Sequence, residues 1–352
     1  MSGGGRSGAS AEREPGDDPW TAYKLRWRRR RLLLRSMRKA GRLRAVRDRT
    51  AAIAPGDVLV FSTMRNEALR LPWWLAHLRA LGVGHFLIVD NGSDDGSPGM
   101  LAGEPDVSLW STADGYKSSR FGVDWLTVLM RRHGHGHWCL TVDADELPVY
   151  AHHDGRNLRA LTGWLDHVGR RSMGFLMLDL YPRGRLGETA YRAGQDPVEA
   201  LPFFDAGNYV ATRQPKLQNL WVQGGVRSRM FFATEPRRGP TLSKVPLIRW
   251  HRDYAYVSST HTALPRELNH VYDRDGGEAP TGVLLHTKFL PNILAKSEEE
   301  KARRQHFENS DLYRGYYDAL TGDPVLWCAR STRYHGWRQL EALGLMSRGG
   351  WE

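Results

Sequence analysis

The stretch Trp138-Cys139-Leu140-Thr141-Val142-Asp143-Ala144-Asp145-Glu146 decides the fold. Its first five residues read as a buried strand. Asp143 and Asp145 follow two positions apart and so project the same way, because strand side chains repeat every second residue. Carboxylates converging at a strand end repel each other unless a cation lies between them. Mg²⁺ or Mn²⁺ suits oxygen donors and keeps positions open for phosphate oxygens. The plain alternative is an acidic turn or helix cap, and the sequence around the cluster weighs against it.

Upstream, Val58 to Ser62 is a continuous apolar run of the buried parallel type. Glu67 to Leu81 has helical spacing through Leu71, Trp74, Leu75, Leu78 and Leu81, and Phe86 to Val89 is a second buried strand. Asp90-Asn91-Gly92-Ser93-Asp94-Asp95-Gly96-Ser97 then makes a dense turn signal. Val107 to Trp110 reads as a third strand, Phe121 to Arg132 as a helix and Trp138 to Val142 as a fourth strand. This alternation predicts an α/β fold, a doubly wound parallel sheet covered by helices. Ligands in such sheets bind at the C-terminal strand ends, where the polar motifs stand. A carboxylate after the second strand suits a ribose or base, against a bare surface turn. Arg65 at a helix start suits a phosphate, and Asn66 suits a helix cap.

The second half is less regular. Leu158 to Val168 reads as a helix and Phe175 to Leu180 as a strand; residues 181–210 are loop-rich. Short strands are expected near 228–233, 246–251 and 282–288, and a charged helix over Ile293 to Phe307. His133-Gly134-His135-Gly136-His137 admits a metal reading but reads better as a helix-ending loop. Trp221 and Trp250 are candidates for stacking on a sugar, against core packing.

The chain of 352 residues, 41% hydrophobic, is long enough for a sizeable core, and no apolar run approaches a bilayer span. Cys139 and Cys328 are too few for a disulfide framework or a cysteine-rich metal site. The polar N-terminus has no apolar core of a secretory signal, so the expected location is cytoplasmic. The net charge of +11 is concentrated: Lys24 to Arg49 holds 13 Lys or Arg and one acid, which leaves the remainder near neutral. That argues against a nucleic-acid-binding body. Residues 20–49 read as a basic helix, either solvated and packed on the body or touching the anionic inner face of a membrane as a peripheral contact. The expected organisation is a disordered segment 1–19, a basic helical arm 20–50, a domain 51–320 divided into a nucleotide-binding half 51–150 and an acceptor-side half 151–320, and a tail 321–352.

Taken together, Ser62–Glu67, Asp90–Ser97 and Trp138–Glu146 resemble glycosyltransferase family 2-like proteins, in the bacterial branch with Arg-Asn-Glu and Asp-x-Asp-Glu motifs. Gly224–Arg229, Lys244–Leu247 and Leu285–Lys288 look similar too, so the resemblance spans about 55–320 and is strongest over 57–150. It implies a GT-A, Rossmann-like fold and a UDP- or GDP-type nucleotide-sugar donor. The acceptor it implies is a saccharide or lipid-linked saccharide. It also implies Mn²⁺ or Mg²⁺ on Asp143 and Asp145, with His286 as a further ligand. The donor would meet Thr63, Arg65, Asn66, Glu67, Asp90, Asn91, Ser93, Asp95 and Asp143. Lys117, Arg120, Arg227, Arg229 and Lys288 would offset the diphosphate charge. Candidates for the general base are Glu146, Asp179, Glu188, Asp205 and Glu235, of which Asp205 and Glu188 lie in the loop-rich region. Two other readings stand beside this one. A nucleotidyltransferase on a related sheet would want a glycine-rich basic loop after the first strand, which Ser62–Glu67 lacks. A non-catalytic membrane- or nucleic-acid-associated binding protein is the other.

Overall fold

A computed structural model describes residues 18–272, 279–303 and 314–352. Nine strands form the central sheet: β1 Arg44–Arg47, β2 Val58–Met64, β3 His85–Asp90, β4 Val107–Ser111, β5 Trp138–Thr141, β6 Glu146–Val149, β7 Ser172–Asp179, β8 Ser243–Arg249 and β9 Thr281–His286. Their order across the sheet is β1-β4-β3-β2-β5-β8-β7-β9-β6. β4, β3, β2 and β5 run parallel, as do β7 and β9. β8 is inserted antiparallel between β5 and β7, and β1 and β6 are antiparallel edges. The result is a mixed, mostly parallel α/β sheet flanked by helices. The parallel sheet expected for the first half is present.

Besides the single turn Pro197–Ala200, the α-helices among the described residues are α1 Pro19–Lys39, α2 Leu71–Ala80, α3 Ser97–Gly103, α4 Val123–Leu129, α5 Leu158–His167, α6 Gly225–Phe231, α7 Ile293–Arg303, α8 Arg314–Thr321 and α9 Trp337–Ala342. The unbroken apolar run of β2 follows from burial on both faces. Val58 and Val60 enter one core with Trp74, Leu78 and Leu161, while Leu59 and Phe61 enter another with Trp125 and Leu129.

Several expectations are corrected. The helix expected over 20–49 stops at Lys39, and Arg44–Arg47 instead pairs with the outer edge of β4. An open strand edge offers unpaired backbone groups, which this segment satisfies. The arm is therefore joined to the sheet at residue 47. The expected tail 321–352 supplies Trp337, Leu340, Met346 and Trp351 to the main core. The strand expected near 228–233 is the helix α6. It follows a turn at Gly224, where a β-carbon would lie 2.5 Å from the Asn208 carbonyl oxygen. α2 starts at Leu71, four residues later than expected; residues 67–70 form a turn in which the Glu67 carbonyl accepts the amides of Arg70 and Leu71. The part of the expected helix 293–307 beyond Arg303 lies outside the described residues.

Candidate functional site

The strand register assembles the site. His286 on β9 is the register partner of Asp179 on β7 and of Glu146 on β6. Asp179 and His286 close their strands and Glu146 opens the antiparallel β6, so all three stand at one rim, and the turn 143–145 crosses beside them. His286 Nδ1 lies 2.6 Å from Asp179 Oδ1, and its Nε2 lies 3.1 Å from Asp145 Oδ2. Arg227 of α6 donates through Nε to the other Asp179 oxygen at 2.7 Å. The backbone amide of Thr287 donates to the Asp145 carbonyl at 2.7 Å and fixes the acidic turn to β9.

The electrostatics follow from this chain of alternating charges. Burial works to raise Asp145, but His286, Arg70 and Lys288 hold it well below the usual carboxylate range. Burial also works to raise Asp179, and Arg227 and His286 hold it down at about 2. Burial works to lower His286, and the two carboxylates hold it above its ordinary value.

Lys244 of β8 forms the second charged group. Its Nζ lies 3.1 Å from Asp143 Oδ2 and hydrogen-bonds Glu146 Oε1. The other Glu146 oxygen accepts the Asp143 amide at 3.2 Å. Burial pushes the Glu146 carboxyl up to about 7 against the pull of Lys244. Burial works to lower the Lys244 ammonium, and Asp143 and Glu146 hold it above its usual value.

Among the described residues, Asp145, Glu146 and His286 offer ligand atoms that all lie within 4.8 Å of one another. Two carboxylates and an imidazole form a donor set that fits a divalent cation, with the nitrogen favouring Mn²⁺ over Mg²⁺. The Asp179 contact turns the imidazole so that Nε2 faces Asp145, as an outer carboxylate does for a metal-bound histidine. Asp143, expected as a ligand, lies 3.1 Å from Lys244 Nζ, and the group of three contains Glu146.

The loops after β2 and β3 are stitched into one platform. The Asn66 amide donates to Ser93 Oγ at 2.9 Å, the Asp94 amide to Asn66 Oδ1 at 2.9 Å, and the Ala68 amide to Asp95 Oδ2 at 2.8 Å. Asp90 spends its carboxylate on the amides of Gly92 and Ser93 and on the Ser93 hydroxyl. Asn91 donates to the carbonyls of Thr112 and Asp114. Arg65 pairs with Glu299 of α7 at 3.1 Å, and Glu67 pairs with Arg70 and Lys296. Thr63 packs against Gly122, where a β-carbon would lie 2.7 Å from its hydroxyl.

The expected cations separate. Lys288 stands over the Tyr316 ring at 5.3 Å, and its charge acts on Asp145. Arg227 reaches the site through Asp179. Arg120 is committed to Asp124 and the Tyr256 carbonyl, and Arg229 to Asp205 and the Leu326 carbonyl. Lys117 lies in a short turn, Lys117–Ser119. Of the expected bases, Asp205 is held by Arg229 and Tyr181, Glu188 is an exposed loop residue, and Glu146 is buried against Lys244. Trp250 is core, and Trp221 is half-buried on a hairpin strand, Leu220–Gln223. The three histidines 133, 135 and 137 diverge, to Trp110, His251 and the Asp57 carbonyl respectively.

Arg70 and Lys244 were not singled out from the sequence as site residues. Arg70 has a weak local signal, three residues after Glu67. Lys244 becomes a site residue only when β8 inserts between β5 and β7.

No protein-family model and no curated protein matches the chain. Among solved structures, a protein described as a glucose-1-phosphate thymidylyltransferase from Bacillus anthracis, in complex with sucrose, is similar over 82% of this chain and 95% of that one. The identity is 10% and the TM-score 0.30, a likeness too slight to bear on the site or its reaction. Among the described residues, no helix is long and apolar enough to cross a membrane.

Proposed function

We propose that this chain is a metal-assisted glycosyltransferase of GT-A type, which moves a sugar from a UDP- or GDP-type donor to a saccharide or lipid-linked acceptor. The observation that carries the reading is the linear arrangement Asp145–His286–Asp179–Arg227 at the C-terminal strand rim, beside the platform made by the loops after β2 and β3. Asp145, His286 and Glu146 would hold the cation, which when bound supplies positive charge to the departing diphosphate. Lys288 adds further positive charge beside Asp145. Arg70 braces Glu67 and the backbone carbonyls of Thr287 and Lys288, and so keeps the β9 end against the donor platform. Lys244 offsets part of the charge of Asp143 and Glu146, and with His286, Arg227 and Lys288 this lets four acidic side chains share one rim.

The test is a thermal-shift panel of UDP, GDP, CMP and their sugars, with and without Mn²⁺, on the wild type and on Asp145→Ala. The expected result is stabilisation by one nucleotide that needs the metal and disappears in the variant. Activity is then followed as release of the nucleoside diphosphate. No metal-dependent shift with any nucleotide overturns the reading. Release of pyrophosphate from a nucleoside triphosphate and a sugar phosphate replaces it with a nucleotidyltransferase.

A further inference from the structure

The helix α1 is bound rigidly to the body on one side and presents an unusual face on the other. Leu25, Leu33 and Ser36 are buried, and Leu25 packs with Val257 and Leu264. Arg35 pairs with Asp124 at 2.7 Å and Lys39 with Asp114 at 2.6 Å, so the orientation of the helix is fixed. The opposite side carries Trp20, Tyr23, Trp27, Leu34 and Met37, each 44 to 61% exposed. These positions recur at helical spacing and form one outward stripe.

Basic side chains border the stripe. Lys24 stands over the Trp20 ring at 4.8 Å and Arg30 over the Trp27 ring at 5.3 Å. Arg28, Arg31 and Arg38 are also exposed. Among the described residues of α1 there is no acid to balance them. Beside the N-terminal half of the helix, a cavity of about 210 Å³ is lined by Arg26, Arg29 and Arg266, with Glu267 as its one acid.

We infer that α1 docks flat on an anionic phospholipid surface, with its aromatic stripe in the headgroup region and its arginines on lipid phosphates. A helix of 21 residues, about 31 Å long, is well suited to lie in the interface plane. Charge complementarity selects the occupant. A second copy would bring two strongly basic segments face to face, and that repulsion opposes self-association. A nucleic acid would meet the arginines, but its backbone gives Leu34 and Met37 nothing apolar to bury against. A bilayer meets both halves of the face at once. The inference stands on α1 alone and does not depend on the transferase reading.

The test is flotation of the full chain with vesicles of phosphatidylcholine, alone or mixed with phosphatidylglycerol, at low and moderate salt. Two variants of exposed residues accompany it, with circular dichroism as the check on folding: Trp20→Ser with Tyr23→Ser and Trp27→Ser, and Arg30→Gln with Arg31→Gln and Arg38→Gln. The expected result is capture by anionic vesicles only, weakened by salt and reduced roughly ten-fold or more by either variant. Equal capture by neutral vesicles, or full retention by the aromatic variant, overturns the inference. So does tighter capture of a single-stranded RNA than of the vesicles through the same side chains.

Discussion

The Asp179 carboxylate lies 2.6 Å from His286 Nδ1 and thereby sets the direction in which the imidazole offers its other nitrogen. The pair comes from two parallel strands in register, so its geometry is as rigid as the sheet. Asp179→Asn is expected to lower Mn²⁺ affinity roughly 10- to 100-fold while leaving every ligand in place. Isothermal titration of Mn²⁺ into the folded variant checks this, with His286→Ala as the reference for losing a donor outright. An unchanged affinity in Asp179→Asn would make the contact purely structural.

Lys244 is buried against Glu146, with the exposed Asp143 as its second partner, and has a stability role separable from any chemistry. Removing one partner of a buried ion pair strands the other, so Lys244→Met is expected to cost about 3–5 kcal/mol. Adding Glu146→Gln removes the stranded charge and should restore more than half of that loss. Urea denaturation of the two single variants and the double variant measures the coupling. Additive losses would show that Lys244 and Glu146 do not act as a pair.

The first half of the fold was legible because its parallel strands are continuous apolar runs separated by helical spacing, although β5 returns to pair with β2 on the side away from β3. The long-range parts were not legible. His286 was within reach, as a polar residue closing an apolar run. That Glu146 would stand beside it depends on β6 pairing antiparallel with β9, two segments more than 130 positions apart. Likewise, Arg229 has its partner Asp205 24 positions away with nothing nearby to announce it, so it looked available for a phosphate; Arg120 has Asp124 four positions on, where helical spacing does announce the pair. Asp90 looked available for a ribose for a related reason: its turn signal is real, and in the structure the turn itself takes up the carboxylate.

Asn66 holds the platform formed by the loops after β2 and β3 by two separable properties, a left-handed backbone at φ +53° and a side-chain oxygen that accepts the Asp94 amide. Asn66→Gly keeps the first and loses the second; Asn66→Ala loses both. The alanine variant should therefore be the less stable of the two, by about 1 kcal/mol. Chemical denaturation of both variants checks the order. Equal stability would mean that the backbone conformation contributes little.

His77 gives the stability of the fold an acid-side pH dependence that is independent of the site. Burial pushes its imidazole down to about 4, against the opposing pull of the Pro148 carbonyl 2.9 Å from Nε2. Its folded value lies below the ordinary 6.5, so the unfolded chain takes up the proton first. The stability held by neutral His77 is therefore present in full above pH 6.5 and is lost as the pH falls from there toward 4. At pH 5 the loss is about 2 kcal/mol relative to pH 7. His77→Gln keeps a polar group near Pro148 but cannot titrate. Its urea-denaturation free energy should fall less than that of the wild type between pH 7 and pH 5, with the two curves converging toward the acid end. Parallel curves over that interval would mean that His77 titrates in the folded protein much as it does in the unfolded chain, and that the acid sensitivity belongs to other groups.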